Sequence, residues 1–135
     1  MIKRVAVIVG FVGLLLPGCG GSDADVNATL SDYVIDLDTT SAAAGELSFG
    51  LTNDAEQTHE FVIFRTDLAP DQLPTNEDGD VDEEGEGVEL VDEVEDITAG
   101  SDAELTVTLD AGSYVFICNL PGHYRQGMHA AFSVS

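Results

Sequence analysis

Two apolar runs leave this chain few ways to fold. HEFVIF (59–64) and SYVFIC (113–118) are hydrophobic at consecutive positions, so a strand built from either has two faces to cover, as central strands do. Other segments alternate with period two. Tyr33, Ile35 and Leu37 interleave with Val34, Asp36 and Asp38; Leu47, Phe49 and Leu51 with Ser48, Gly50 and Thr52; Leu105, Val107 and Leu109 with Thr106, Thr108 and Asp110. Each reads as a half-buried strand, and AAFSVS (130–135) as a last one. Turn signals stand between them at Asn53-Asp54, Leu73-Pro74, Ala99-Gly100, Ala111-Gly112 and Pro121-Gly122. Convincing helical periodicity is lacking beyond the N-terminal segment, although 88–96 has room for a short helical turn. Many short strands with this punctuation predict an all-β fold, a β-sandwich.

At 135 residues the chain suits one domain, less its beginning. Lys3 and Arg4 precede an apolar run from Val5 to Leu16 and a small-residue exit. That is the layout of a secretory signal peptide over 1–18, too short to span a bilayer comfortably. Leu16-Pro17-Gly18-Cys19 resembles a bacterial lipobox, which predicts a lipidated Cys19 as the first mature residue. The plainer alternative is an ordinary signal peptide with Cys19 incidental. Residues 20–31 (GGSDADVNATLS) are small and polar and read as a flexible tether, leaving 32–135 as the domain. The expected location is extracytoplasmic, in the periplasm or at the cell surface, anchored through lipid on Cys19. Cys118 is then the one remaining cysteine; a lone thiol in an oxidising compartment is either buried and inert or held by a metal.

Charge narrows the partners. From residue 19 onward the chain has two arginines, Arg65 and Arg125, against 26 carboxylates, a formal −24. Nucleic acid and anionic lipid surfaces are excluded as partners, and a basic protein face is favoured. The densest stretch is 76–96, where 12 of 21 residues are acidic, and it predicts an exposed loop insertion. Asp78, Asp80, Asp82 and Glu89 match ligand positions of a calcium-binding loop, but Glu83 stands where that loop needs glycine. A solvated acidic loop is therefore the preferred reading.

The chemistry concentrates in CNLPGHYRQGMH (118–129), where Cys118, His123 and Met128 follow the spacing C-x4-H-x4-M. Cys118 closes one predicted strand and the next begins just after Met128, so a short connection brings the three side chains together. Pro121-Gly122 turns the chain, and Gly127 is expected to relieve crowding before Met128. A thiolate, an imidazole and a thioether are soft or borderline ligands suited to copper. A second imidazole completes a His2Cys plane with a weak axial methionine, the blue-copper donor set. His59, at the start of a strand, is the upstream candidate. Taken singly, each of these residues also fits a packed core. His129 points away from Met128 on an extended chain and reads as a surface residue.

Together, THEFVIF and CNLPGHYRQGMHAAFSV resemble the cupredoxins, the plastocyanin- and azurin-like small blue copper proteins, over most of residues 31–135. The resemblance implies a Greek-key sandwich holding one type 1 copper ion, cycling between Cu(I) and Cu(II). His59 and His123 correspond to its nitrogen ligands, Cys118 to its thiolate and Met128 to its axial thioether. The acidic loop departs from the compact members. Glu60 and Asn119 each follow a ligand on neighbouring strands and are expected to hydrogen-bond across the site. The ring edge of His123, in an apolar loop with Leu120, Pro121 and Gly122, is expected at the surface as the electron exit.

The expected function is one-electron transfer between redox partner proteins, membrane-associated or basic-faced, and not catalysis, since no substrate site is visible. The alternative is extracytoplasmic copper buffering or delivery. One methionine and three histidines after Cys19 are few for a delivery protein, which favours the fixed site.

Overall fold

A computed structural model describes residues 23–135. The predicted signal peptide and Cys19 lie outside the described residues. Nine strands follow in order: β1 (Val26–Ser31), β2 (Val34–Leu37), β3 (Ser41–Ala42), β4 (Gly45–Asn53), β5 (His59–Arg65), β6 (Glu89–Ile97), β7 (Asp102–Leu109), β8 (Gly112–Ile117) and β9 (His129–Val134). They form two sheets, ordered β2-β1-β4-β7 and β3-β9-β8-β5-β6. The β1–β4 and β3–β9 pairs are parallel, and the other pairs antiparallel. Among the described residues, no helix is long and apolar enough to cross a membrane.

The β-sandwich follows from the alternation. Val26, Ala28 and Leu30 of β1 and Leu47, Phe49 and Leu51 of β4 meet Phe61 and Ile63 of β5, Tyr114 and Phe116 of β8 and Phe132 of β9. Four of its phenylalanines form one aromatic cluster: Phe116 lies 5.0 Å from Phe61, 5.0 Å from Phe132 and 5.5 Å from Phe49, centroid to centroid. Tilted and edge-on rings at these spacings add specific attraction to the burial of apolar area.

The two doubly apolar runs became β5 and the body of β8, paired antiparallel with Val62 opposite Ile117. Their second face is Val62, Phe64, Val115 and Ile117, which form a separate cluster with Leu73, Val81 and Tyr124. This corrects the reading of 76–96 as a solvated loop. The segment closes over the outer face of the sheet by burying Val81, while most of its acidic side chains face out or are only partly covered. Its second half is not loop at all. Residues 89–96 lie in β6, the edge strand against β5, and the helical turn considered for 88–96 is absent. The charges at Glu89, Asp92, Glu93, Glu95 and Asp96 obscure the pattern, because an edge strand leaves many positions to water.

The tether reading of 20–31 is likewise corrected at 26–31. Those residues are β1, hydrogen-bonded on both sides to β2 and β4, and Val26, Ala28 and Leu30 are fully or almost fully buried. Alanine and the polar residues between these positions weakened a strand signal that the sheet nonetheless uses.

Candidate metal centre

The antiparallel β5–β8 pair fixes the site. It sets the first residue of β5, His59, beside the residue that leaves β8, Cys118. Cys118 continues the inward-facing alternation of Tyr114 and Phe116 and is 0% exposed, like His59 and Met128.

Beyond Cys118 the chain forms a compact loop. His123 N–H donates to Leu120 O (3.0 Å), Met128 N–H to His123 O (3.2 Å), and Cys118 N–H to Met128 O (3.2 Å). A 3₁₀ turn, Tyr124–Gln126, ends at Gly127. Gly122 (φ 80°) and Gly127 (φ 102°) occupy the left-handed region that β-carbons disfavour. The reason for Gly127 is this dihedral and not crowding, because a β-carbon there meets nothing within 4 Å.

Three of the predicted donors converge. His59 Nδ1 lies 3.2 Å from His123 Nδ1 and 3.7 Å from Cys118 Sγ, and His123 Nδ1 lies 3.3 Å from Cys118 Sγ. Among the described residues this is the one group of three His, Cys, Asp or Glu side chains close enough to share an ion. A point equidistant from three atoms at these separations is roughly 2 Å from each, close to a metal–imidazole bond length. Two imidazoles and a sulfur with that spacing fit copper. Met128, the fourth donor expected from the sequence, is buried in the same core cluster as Cys118 at the end of the loop. His129 stands apart: it is half-buried, begins β9 and packs against the Tyr124 ring at 5.5 Å.

The surroundings tune these donors. Burial, then the neighbouring His59, hold His123 below the ordinary imidazole value, which favours the neutral ring. Burial pushes the Cys118 thiol up, opposed by backbone N–H groups of Glu60 and Leu120. Glu60 N–H reaches Cys118 Sγ at 3.4 Å. The Glu60 carboxylate accepts from Asn119 N–H at 2.9 Å, joining the residues that follow two donors. Burial, reinforced by Glu93, Glu83 and Glu95, raises Glu60 to about 7.

Several contacts were not visible in the sequence. The turn between β1 and β2 reaches both histidines: Asp32 Oδ1 lies 3.0 Å from His59 Nε2, and the Tyr33 ring meets His123 edge-on at 5.0 Å. His123 retains 7% exposure beside it. The acidic segment grips the donor loop. Asp80 Oδ1 accepts from Gly122 N–H at 2.8 Å, and Asn119 exchanges hydrogen bonds with the Val81 backbone at 2.8 and 3.0 Å. Among the described residues, no three carboxylates of that stretch lie close enough together to share an ion. Asp80 is engaged with Gly122, and Asp82 Oδ1 accepts from Glu84 N–H. Nothing in the sequence around Asp32, Tyr33 or Asp80 marks them as neighbours of the donors and their loop; only the folded sheets bring them there.

Comparisons with known proteins agree with the geometry. Reduced auracyanin from Roseiflexus castenholzii superposes with a TM-score of 0.54 at 19% identity, over 83% of this chain and 98% of that one. Auracyanin A, a "blue" copper protein from Chloroflexus aurantiacus, gives 0.53 at 19%, over 81% and 96%. Rusticyanin from Thiobacillus ferrooxidans gives 0.53 at 18%, over 81% and 76%. At such identities these likenesses establish the shared fold. The search of curated proteins gave no match. The profile of the sulfocyanin (SoxE) domain matches residues 25–135, which take in all of β1 through β9. The chain therefore belongs to the sulfocyanin (SoxE) domain family, within the cupredoxins.

Proposed function

We propose that this protein is a type 1 copper electron carrier working outside the cytoplasm. The observation that carries the reading is the convergence of His59 Nδ1, His123 Nδ1 and Cys118 Sγ within 3.7 Å of one another. His59 and His123 are the nitrogen ligands, Cys118 the thiolate and Met128 the axial thioether. Copper, when bound, supplies a one-electron couple.

The chain's own residues supply the rest. Burial of His59, Cys118 and Met128 excludes water from the donors. The hydrogen-bonded loop and the paired strands hold the donors in one arrangement, so little rearrangement is needed when charge changes. Glu60 and Asn119 tie the two strand ends that carry His59 and Cys118. His123, buried but for 7% of its surface, is the least covered of the four donors and is assigned as the electron exit, next to the half-buried Tyr33 and the exposed Pro121. The acidic surface selects redox partners with a basic face. The lipobox-like stretch ending at Cys19 supports an extracytoplasmic, lipid-anchored location.

Voltammetry and metal exchange on the copper-loaded protein test this reading against copper delivery. A reversible one-electron wave, with copper kept against a competing chelator for minutes, is expected. Loss of copper to the chelator within seconds supports delivery instead.

A further inference from the structure

We infer that Asp32 is a positioning residue for the metal centre, holding His59 in the tautomer and ring orientation that present Nδ1 to the other donors. The inference rests on the copper reading for its purpose, but its geometry stands without the ion. His59 has two ring nitrogens. Nδ1 points at His123 Nδ1 and Cys118 Sγ, while Nε2 lies 3.0 Å from Asp32 Oδ1. An ionised carboxylate only accepts, so Nε2 of the neutral ring carries the proton and Nδ1 is left with a lone pair. Were the proton on Nδ1, His59 would offer no electron pair to an ion there.

The carboxylate is itself held. Gln57 Nε2 donates to the same Asp32 Oδ1 at 2.7 Å. Gln57 lies two residues before His59, and Asp32 lies in the turn where β1 gives way to β2, so the contact ties the two sheets together at the site. The ring of His59 is fully buried, whereas the Asp32 side chain is 41% exposed. The anchor of a wholly buried donor is thus reachable from solvent. Such carboxylate–histidine pairs behind a metal fix the ring and raise its basicity. A negative charge one hydrogen bond from a ligand also favours the higher metal charge, so Asp32 lowers the reduction potential.

The test uses Asp32→Asn and Asp32→Ala in the full chain, with two readouts. The first is the His59 tautomer in the metal-free protein, from long-range ¹⁵N–¹H correlation. Wild type and Asp32→Asn, whose amide oxygen still accepts, are expected to show the Nε2–H form. Asp32→Ala is expected to show a mixture. The second is the reduction potential of the copper-loaded protein, expected to rise in both variants because both lose the charge. A pure Nε2–H tautomer in Asp32→Ala overturns the inference, and so does an unchanged potential in Asp32→Asn. If Asp32→Ala fails to fold, the Asp32→Asn potential and the wild-type tautomer still decide the matter. A wild-type protein that binds no copper refutes the proposed function, while the tautomer result still judges Asp32 on its own.

Discussion

Glu60 sits between His59 and the hydrophobic strand behind it, and its carboxyl titrates near 7 because burial and three neighbouring glutamates oppose its charge. Between about 4.5 and about 7 the folded protein therefore keeps a proton that the unfolded chain has released. Stability from this group is present at the acid end of that window and is lost as pH rises through it. Denaturant titrations of the metal-free protein should show the loss, and Glu60→Gln, which still accepts from Asn119 N–H, should be less sensitive across the same window. Cys118 behaves in the opposite sense toward metal. Its thiol is pushed up by burial, so copper binding at neutral pH must displace one proton. The apparent copper affinity should rise about tenfold per pH unit below the thiol pKa, as measured by competition with a chelator. A pH-independent affinity would argue against a thiolate ligand. The donor residues were legible because C-x4-H-x4-M and an upstream strand-start histidine are local patterns. Asp32 was not, because a carboxylate in a turn carries no mark of the ring it will face across 27 positions of sequence.

Among the elements, the donor loop and β1 teach different lessons. Gly127 has a left-handed φ of 102° with open space where a side chain would project. Gly127→Ala should therefore cost about 1–2 kcal/mol from backbone strain alone, read from denaturant midpoints. A larger loss would mean that crowding matters after all. β1 lies inside its sheet, between β2 and β4. A chain beginning at residue 23 should keep its cooperative unfolding transition, and one beginning at residue 32 should lose it, together with the buried Val26, Ala28 and Leu30. β2, β4 and β7 were readable from alternation, because each had two or three large apolar residues at alternate positions, and β5 and β8 from their doubly apolar runs. β1, β6 and the two-residue β3 were not. In β1 the inward positions include an alanine, and in β6 an edge position tolerates charge at the places where an inner strand requires apolar side chains.

The whole molecule couples a rigid aromatic core to an acidic exterior. Phe116 touches three other phenylalanine rings and is 0% exposed, so Phe116→Ala should cost about 3–5 kcal/mol. Among the described residues, two arginines against 26 carboxylates set the terms of association. The rate of electron transfer with a basic-faced partner should fall as salt rises, since screening shortens from about 30 Å at 0.01 M to about 3 Å at 1 M ionic strength. The sandwich could be read from strand patterns, but the acidic segment's grip on the donor loop could not, because charge composition alone describes a solvated stretch. The electron-carrier function requires that the three converging donors hold copper through sulfur. The direct measurement is the absorption spectrum of the metal-free protein on addition of Cu(II). One equivalent should bind with an intense blue thiolate-to-copper band that Cys118→Ser abolishes. A spectrum without that band, or one unchanged in Cys118→Ser, would contradict the proposed function.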